Sequence, residues 1–461
     1  MLNRRDFLIG GTFVAAGVMG GGFVARAAIA ADQIIVAAPT THEVVPGFVT
    51  KGMNSYSLGS NNGLPSVLRL KRDVMTAVDV ENQLDAATTV HWHGLRIANT
   101  EDGVPFISQG AIEPGKSHRY HLKSADAGTY WFHPHCNTLE QMARGLSGVI
   151  IVDEDEDAGF DLDLPVLMRD FRMDGKGKFI EFAKAKNSAY AGTLGTISTA
   201  NWRIEPEFEA PAGGLVRVRI VVADVTRIFQ PSASGAEMQI IAYNGQPVAV
   251  PLGFEGLSLA PGERIDVAVA MPSEPGALVE FTRAGPKGPI LMFALKATGP
   301  DLKRTLGMVK PLPANPLAEP DLANAETVDF RFEWSPGGDA PVPTLCGTAQ
   351  FQFWSINKVA WSDAQVGLPE PTATLKLGQS YILRFINETP NSHPVHLHGM
   401  TFKILKSDKR ELPQLWSDTA LLLSGETVEV ALVADNPGDW AIHCHVIEHQ
   451  KTGLTGYVRV A

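Results

Sequence analysis

The chain repeats itself, and the repeat narrows its fold more than any other feature. Val78-Asp79-Val80-Glu81-Asn82 leads in nine residues to His91-Trp92-His93-Gly94, and Leu383-Arg384-Phe385-Ile386-Asn387 leads, also in nine, to His396-Leu397-His398-Gly399. Gly128 follows Gly115 by thirteen residues and His133-Pro134-His135 begins five later; Gly425, Gly438 and His443-Cys444-His445 keep the same spacing. Such self-similarity points to copies of one structural unit. A middle copy runs from Arg217 to Asp224, then through Ser232-Ala233-Ser234-Gly235, where His-x-His-Gly would stand. Pro261-Gly262 and Pro275-Gly276 lead on to Phe281-Thr282-Arg283 in place of the second His pair. This copy keeps the pattern and lacks the histidines. Short Val/Thr/Ile-rich runs broken by Gly and Pro predict an all-β protein of sandwiches or barrels, and 461 residues are too many for one ordinary domain. The Pro-rich stretch from Lys310 to Pro320 reads as the linker into the last copy.

The copies carry the chemistry. Of 13 histidines, only His42, His118 and His121 lie outside four short clusters built on His91, His93, His133, His135, His393, His396, His398, His443, His445 and His449. A lone histidine is usually a packed or surface residue. Four clusters in a chain otherwise poor in histidine need a metal to explain them. In His443-Cys444-His445, strand alternation puts the two imidazoles on one face and the thiolate on the other. One thiolate then serves a metal on one side while its covalent neighbours serve metals on the opposite side, which makes a path for electrons. Four His-x-His strands supply eight imidazoles for a cluster of three metals, and His393, Cys444 and His449 form a His₂Cys set suited to a blue copper centre. Zinc is a poorer match, because no Cys-x-x-Cys pair is present.

Asn3-Arg4-Arg5-Asp6-Phe7-Leu8, an uncharged Gly-rich stretch to Ala25 and Ala28-Ile29-Ala30 read as a twin-arginine export signal over residues 1–30, with cleavage after Ala27 or Ala30. Six glycines make the apolar stretch a poor membrane-spanning helix. The destination is the bacterial periplasm. Removing residues 1–30 takes away Arg4, Arg5, Arg26 and Asp6, leaving 36 basic and 49 acidic residues and a charge of −13. That acidity argues against nucleic acid and anionic membranes as partners. Besides Cys444 the chain has Cys136 and Cys346, which form either one disulfide or two buried free thiols.

In combination these motifs resemble the multicopper oxidases, specifically their three-domain bacterial laccase-like group, over essentially the whole chain after the export signal. The resemblance implies three cupredoxin-like Greek-key β-barrel domains: residues 31–155, residues 156–308 without copper ligands, and residues 326–461 with type 1 copper, the last two joined by a linker at 309–325. It implies four copper ions. His393, Cys444 and His449 correspond to type 1 ligands and His91 and His396 to type 2 ligands. His93, His133 and His445 correspond to one type 3 ion, and His135, His398 and His443 to the other. The implied reaction is one-electron oxidation of a reductant at type 1 copper, transfer through Cys444 to His443 and His445, and four-electron reduction of O₂ to water.

Leu454, ten residues after Cys444, stands where family members carry an axial Met, Leu or Phe; it cannot coordinate, which predicts a high type 1 potential. Oxygen reduction consumes protons, and Asp102, eleven residues after His91, matches the family's acidic residue near type 2 copper. Gln450 stands where several bacterial relatives place a second proton-relay Glu, and Glu448 lies on the other side of His449. Asp418 in Trp416-Ser417-Asp418-Thr419 resembles a family position near the type 1 site, with a structural hydrogen-bonding role. The 12 methionines are scattered and none falls between Met308 and Met400, so the Met-rich insertion of many cuprous oxidases is absent. That favours a laccase-like oxidation of phenols and aromatic amines by a monomer over oxidation of Cu(I), Mn(II) or Fe(II). Nitrite reduction has no use for four His-x-His pairs, and copper-free relatives that act in cell division have eroded motifs, whereas these are complete.

Overall fold

A computed structural model describes residues 33–59, 64–181, 183–336, 346, 351–362 and 367–461. The expected export signal lies outside them. Among the described residues six sheets face each other in pairs around three main apolar cores. In the first barrel, strands Phe48–Leu58, Gln33–Val45, Thr76–Asn82 and Ser117–Leu122 form one sheet, and Ser66–Lys71, Gly148–Asp153, Gly128–His133 and His91–His93 the other. A six-stranded and a four-stranded sheet make the middle barrel, and a six-stranded and a five-stranded sheet the last. The fold class is thus all-β, with three cupredoxin-like barrels.

The sequence repeat becomes a repeat of strand register. Thr76–Asn82 pairs parallel with Gln33–Val45 and antiparallel with Ser117–Leu122. Leu215–Val222 does the same with Leu162–Phe171 and Arg264–Ala270. Ser380–Asn387 does so with Glu326–Trp334 and Thr427–Val433. In Ser380–Asn387 the alternation is complete: Tyr381, Leu383, Phe385 and Asn387 are buried and the residues between them half-buried. Each apolar side chain of that size contributes roughly 1.5–3 kcal/mol when buried. Leu215–Val222 is buried at every position, because Arg217 and Arg219 on its outer face are covered by the first barrel. Arg217 pairs with Asp266 at 2.6 Å and Glu154 at 2.8 Å, and Arg219 donates to Thr129 at 2.8 Å. The middle barrel is therefore seated on its neighbour by desolvated ion pairs.

Between the short turn at Leu306–Met308 and strand Glu326–Trp334 the chain has no regular element, as the Pro-rich composition predicts. It is tied down all the same: the Asn315 side chain accepts from the Ala127 amide and donates to the Ala127 carbonyl, both at 2.9 Å. Cys136 and Cys346 are joined by a disulfide. No helix among the described residues is long and apolar enough to cross a membrane.

Candidate metal centre

Short strands bring the histidine clusters together. His91–His93 pairs antiparallel with Gly128–His133, so His91 faces His133 across the ladder; His393–Leu397 pairs with Gly438–Cys444, so His396 faces His443. In the middle barrel Pro231–Ser234 pairs with Leu278–Arg283 in the same way, with Ser232 opposite Thr282. The first and third barrels meet across stacked imidazoles. His91 lies on His398 and His93 on His396, both with ring centres 3.7 Å apart.

Three groups have nitrogens close enough to share an ion: His91 with His396 and His398; His93 with His133 and His445; His135 with His398 and His443. His398 Nε2 is 3.0 Å from His443 Nε2, and His91 Nε2 is 3.4 Å from His396 Nε2. All eight imidazoles are buried. Burial, followed by the neighbouring imidazoles, holds His93, His133, His398, His443 and His445 well below the usual histidine range, so these rings are neutral.

The outer nitrogens are held by oxygen acceptors. His91 Nδ1 lies 2.9 Å from the Asp102 carbonyl, His396 Nδ1 2.8 Å from the Asp418 carbonyl and His398 Nδ1 3.0 Å from the Asp102 carboxylate. His133 and His443 each use a main-chain carbonyl at 3.0 Å. With the proton fixed on Nδ1, Nε2 keeps its lone pair for a metal. Buried His93 Nε2, His133 Nε2 and both nitrogens of His445 have no hydrogen-bond partner among the described residues. Buried polar atoms are normally partnered, so this inward-facing set fits a Lewis-acid metal cluster.

The fourth group is separate. Cys444 Sγ is 3.5 Å from both His393 Nδ1 and His449 Nδ1, and those nitrogens are 3.1 Å apart. Burial pushes the Cys444 thiol up and takes His449 down to about 4. The strand predicted through His443-Cys444-His445 stops at Cys444, and the short helix Ile447–Lys451 carries His449 back to the thiol. Leu454 is fully buried in the core that holds Cys444, and its carbonyl accepts from the Cys444 amide at 3.0 Å.

One expected location is corrected. Asp418 belongs to the eight-imidazole cluster and not to the His393–Cys444–His449 group: its carboxylate lies near His93 Nδ1 and His396 Nδ1. The ladder explains this, since Thr419 is opposite His396 while the residue opposite His393 is Leu422. Arg264 of the middle barrel grips Asp418 at 2.7 and 2.9 Å. Burial acts to raise the Asp418 pKa, but Arg264 and His396 outweigh it and hold the carboxyl well below the usual range. Glu448 faces away from the cluster and binds the middle barrel's 184–193 segment through the Thr193 amide, Thr193 Oγ1 and Ser188 Oγ. Gln450 Nε2 lies 3.5 Å from His135 Nε2.

Gly262, at φ +95°, also reaches the cluster: a β-carbon there would sit 2.9 Å from His93 Nε2. The Pro261-Gly262 pair marked a turn in the sequence, but nothing in it announced a wall of the site. Trp354 packs on His449 and His393 with ring centres 4.7 and 5.1 Å away, and had no sequence signal at all.

Two multicopper oxidase family models match, over residues 48–157 and 340–461. The multicopper oxidase MmcO of Mycobacterium tuberculosis is 30% identical over 417 residues, covering 82% of this chain and 77% of the relative. A solved multicopper oxidase of Pseudomonas thermotolerans is 38% identical with a TM-score of 0.83, covering 93% of this chain and 98% of that one. That of Pseudomonas parafulva is 37% identical with a TM-score of 0.81, covering 93% and 99%. The chain belongs to the multicopper oxidases. It is a copper oxidoreductase of the laccase-like type, with oxygen as acceptor.

Proposed function

We propose that this enzyme oxidises phenols and aromatic amines by one electron at a type 1 site of His393, Cys444 and His449, and reduces O₂ to water at a three-ion cluster held by the eight paired histidines. Copper, four ions in all, supplies the redox capacity and the place where oxygen is reduced. The observation that carries the reading is the separation of the two sites with a single covalent link: Cys444 stands in one, and its neighbours His443 and His445 stand in the other.

The protein's part follows from its residues. Cys444 and its peptide bonds conduct electrons from the first site to the imidazoles of His443 and His445. Asp102, buried, accepts from His398 Nδ1 at its carboxylate and fixes His91 through its carbonyl, which places a carboxylate where protons must be passed to the cluster. Asp418 and Arg264 orient His396 and His93. Burial of all eight rings keeps bulk water out. The proposal extends to twin-arginine export, a periplasmic monomer and domain limits at 31–155, 156–308 and 326–461.

The test is O₂ uptake by copper-loaded protein after removal of residues 1–30, with a methoxyphenol and with Cu(I) as reductant. Faster uptake with the phenol supports the laccase reading. The reverse order would make the enzyme a metal-ion oxidase, a role shared by Mn(II) and Fe(II) as alternative reductants. No uptake with either would overturn the assignment of function.

A further inference from the structure

No edge of the type 1 histidines is open to solvent. His393 and His449 are fully buried, His393 Nε2 is bonded to Thr389 Oγ1 at 2.8 Å, and His449 Nε2 to the Tyr190 carbonyl at 2.5 Å. Electrons from outside must cross this covering layer. One continuous π system does so. Trp334 and Trp354 are directly opposite each other in an antiparallel strand pair, and their indoles stack with centres 4.3 Å apart and planes 16° from parallel. Trp334 is 41% exposed; Trp354 is fully buried and touches both ligand imidazoles. Trp354 Nε1 donates to the Ser188 carbonyl at 2.8 Å, which fixes its ring plane.

We infer that the exposed face of Trp334 is where an aromatic reductant docks, and that the Trp334–Trp354 stack couples the docked molecule to His393 and His449. The inference rests on reading His393, Cys444 and His449 as the type 1 site. A phenol stacked on Trp334 gives up one electron through the two indoles and releases its hydroxyl proton to water, leaving a phenoxyl radical at the surface. Four such electrons per molecule go to O₂, the terminal oxidant of the family reaction. Because docking is on the surface, molecules too bulky for a closed pocket, such as linked methoxyphenol dimers, are suitable donors.

The test is anaerobic stopped-flow reduction of the copper-loaded enzyme, read as bleaching of the blue thiolate-to-copper absorption. Trp334→Ala should slow bleaching by a methoxyphenol dimer about tenfold, as loss of a stacking face and its coupling requires. Trp334→Phe, which keeps an aromatic face at that position, should recover most of the rate with the dimer. On copper-free protein, saturation-transfer NMR should detect binding of a non-oxidisable dimethoxybenzene to wild type and lose it in Trp334→Ala. Equal rates with the dimer in Trp334→Ala and wild type would overturn the inference. Absence of blue absorption in loaded wild type is a separate failure, of the type 1 reading itself.

Discussion

Replacing Arg264 by methionine removes one side chain that touches all three barrels. Its guanidinium donates to the Thr129 carbonyl of the first barrel at 3.3 Å, to the Gly262 carbonyl of its own at 3.0 Å, and to both carboxylate oxygens of Asp418 in the third. Arg264 is fully buried and Asp418 is 2% exposed. Methionine fills much of the volume but leaves a buried carboxylate without its counter-charge, which costs about 3–5 kcal/mol. With an unfolding entropy of roughly 0.9 kcal/mol/K for about 430 residues, that lowers the melting temperature by about 3–5 °C. Calorimetry of the copper-free protein measures it without interference from metal binding. The reasoning also fixes a second result. Adding Asp418→Asn to Arg264→Met removes the stranded charge, so the double variant should recover at least about half of the loss. A shift below about 1 °C in Arg264→Met, or a double variant no more stable than the single, would refute the argument that desolvated charge pairing holds the barrels here.

Gly262→Ala places a methyl group against His93 Nε2 and forces a positive φ on alanine, so it should lower copper bound at the eight-histidine cluster while the blue absorption of the Cys444 site stays. Metal analysis beside the visible spectrum checks this, and full copper content refutes it. Asp224, pushed up to about 6 by burial and then by Asp170, is protonated in the fold where it would be ionised in the unfolded chain. Ionising it opposes folding, so stability falls as pH rises from about 4 to about 6. Asp224→Asn removes this loss, so its melting temperature relative to wild type should rise between pH 4.5 and pH 7, and a constant or falling difference counts against the account. Leu454→Met restores a weak thioether donor beside Cys444 and should lower the type 1 potential in a redox titration of the blue absorption; a raised potential would remove the reason given for leucine.

What the sequence made legible was whatever depends on spacing along one strand. The interval from Asn82 to His91 and from Asn387 to His396 recurs because the same strand register recurs in both barrels. The middle copy could be aligned for the same reason, although it has serines where the others have histidines. Residues that arrive from another barrel left no such trace. Arg264 lies in an ordinary strand, and its partner is 154 residues away. Asp418 was assigned to the wrong group because neighbourhood in sequence does not say which end of the His393–Leu397 ladder a residue meets. The Cys136–Cys346 bridge spans 210 residues, and no local pattern chooses between a bridge and two thiols.

The middle barrel shows why a domain without ligands is retained in such a chain. Its Pro261-Gly262 turn presents backbone, not a side chain, to His93 and His445, and only glycine leaves that space open. Two residues on, Arg264 neutralises the carboxylate behind His93 and His396. On the other side of the site the same barrel supplies the 184–193 segment, which covers His449 and Trp354: the Tyr190 carbonyl meets His449, and the Ser188 carbonyl holds Trp354. Glu448, one residue before His449, anchors that segment through Thr193 and Ser188. The His393–Cys444–His449 group and the eight-imidazole cluster are thereby braced from a body that carries neither.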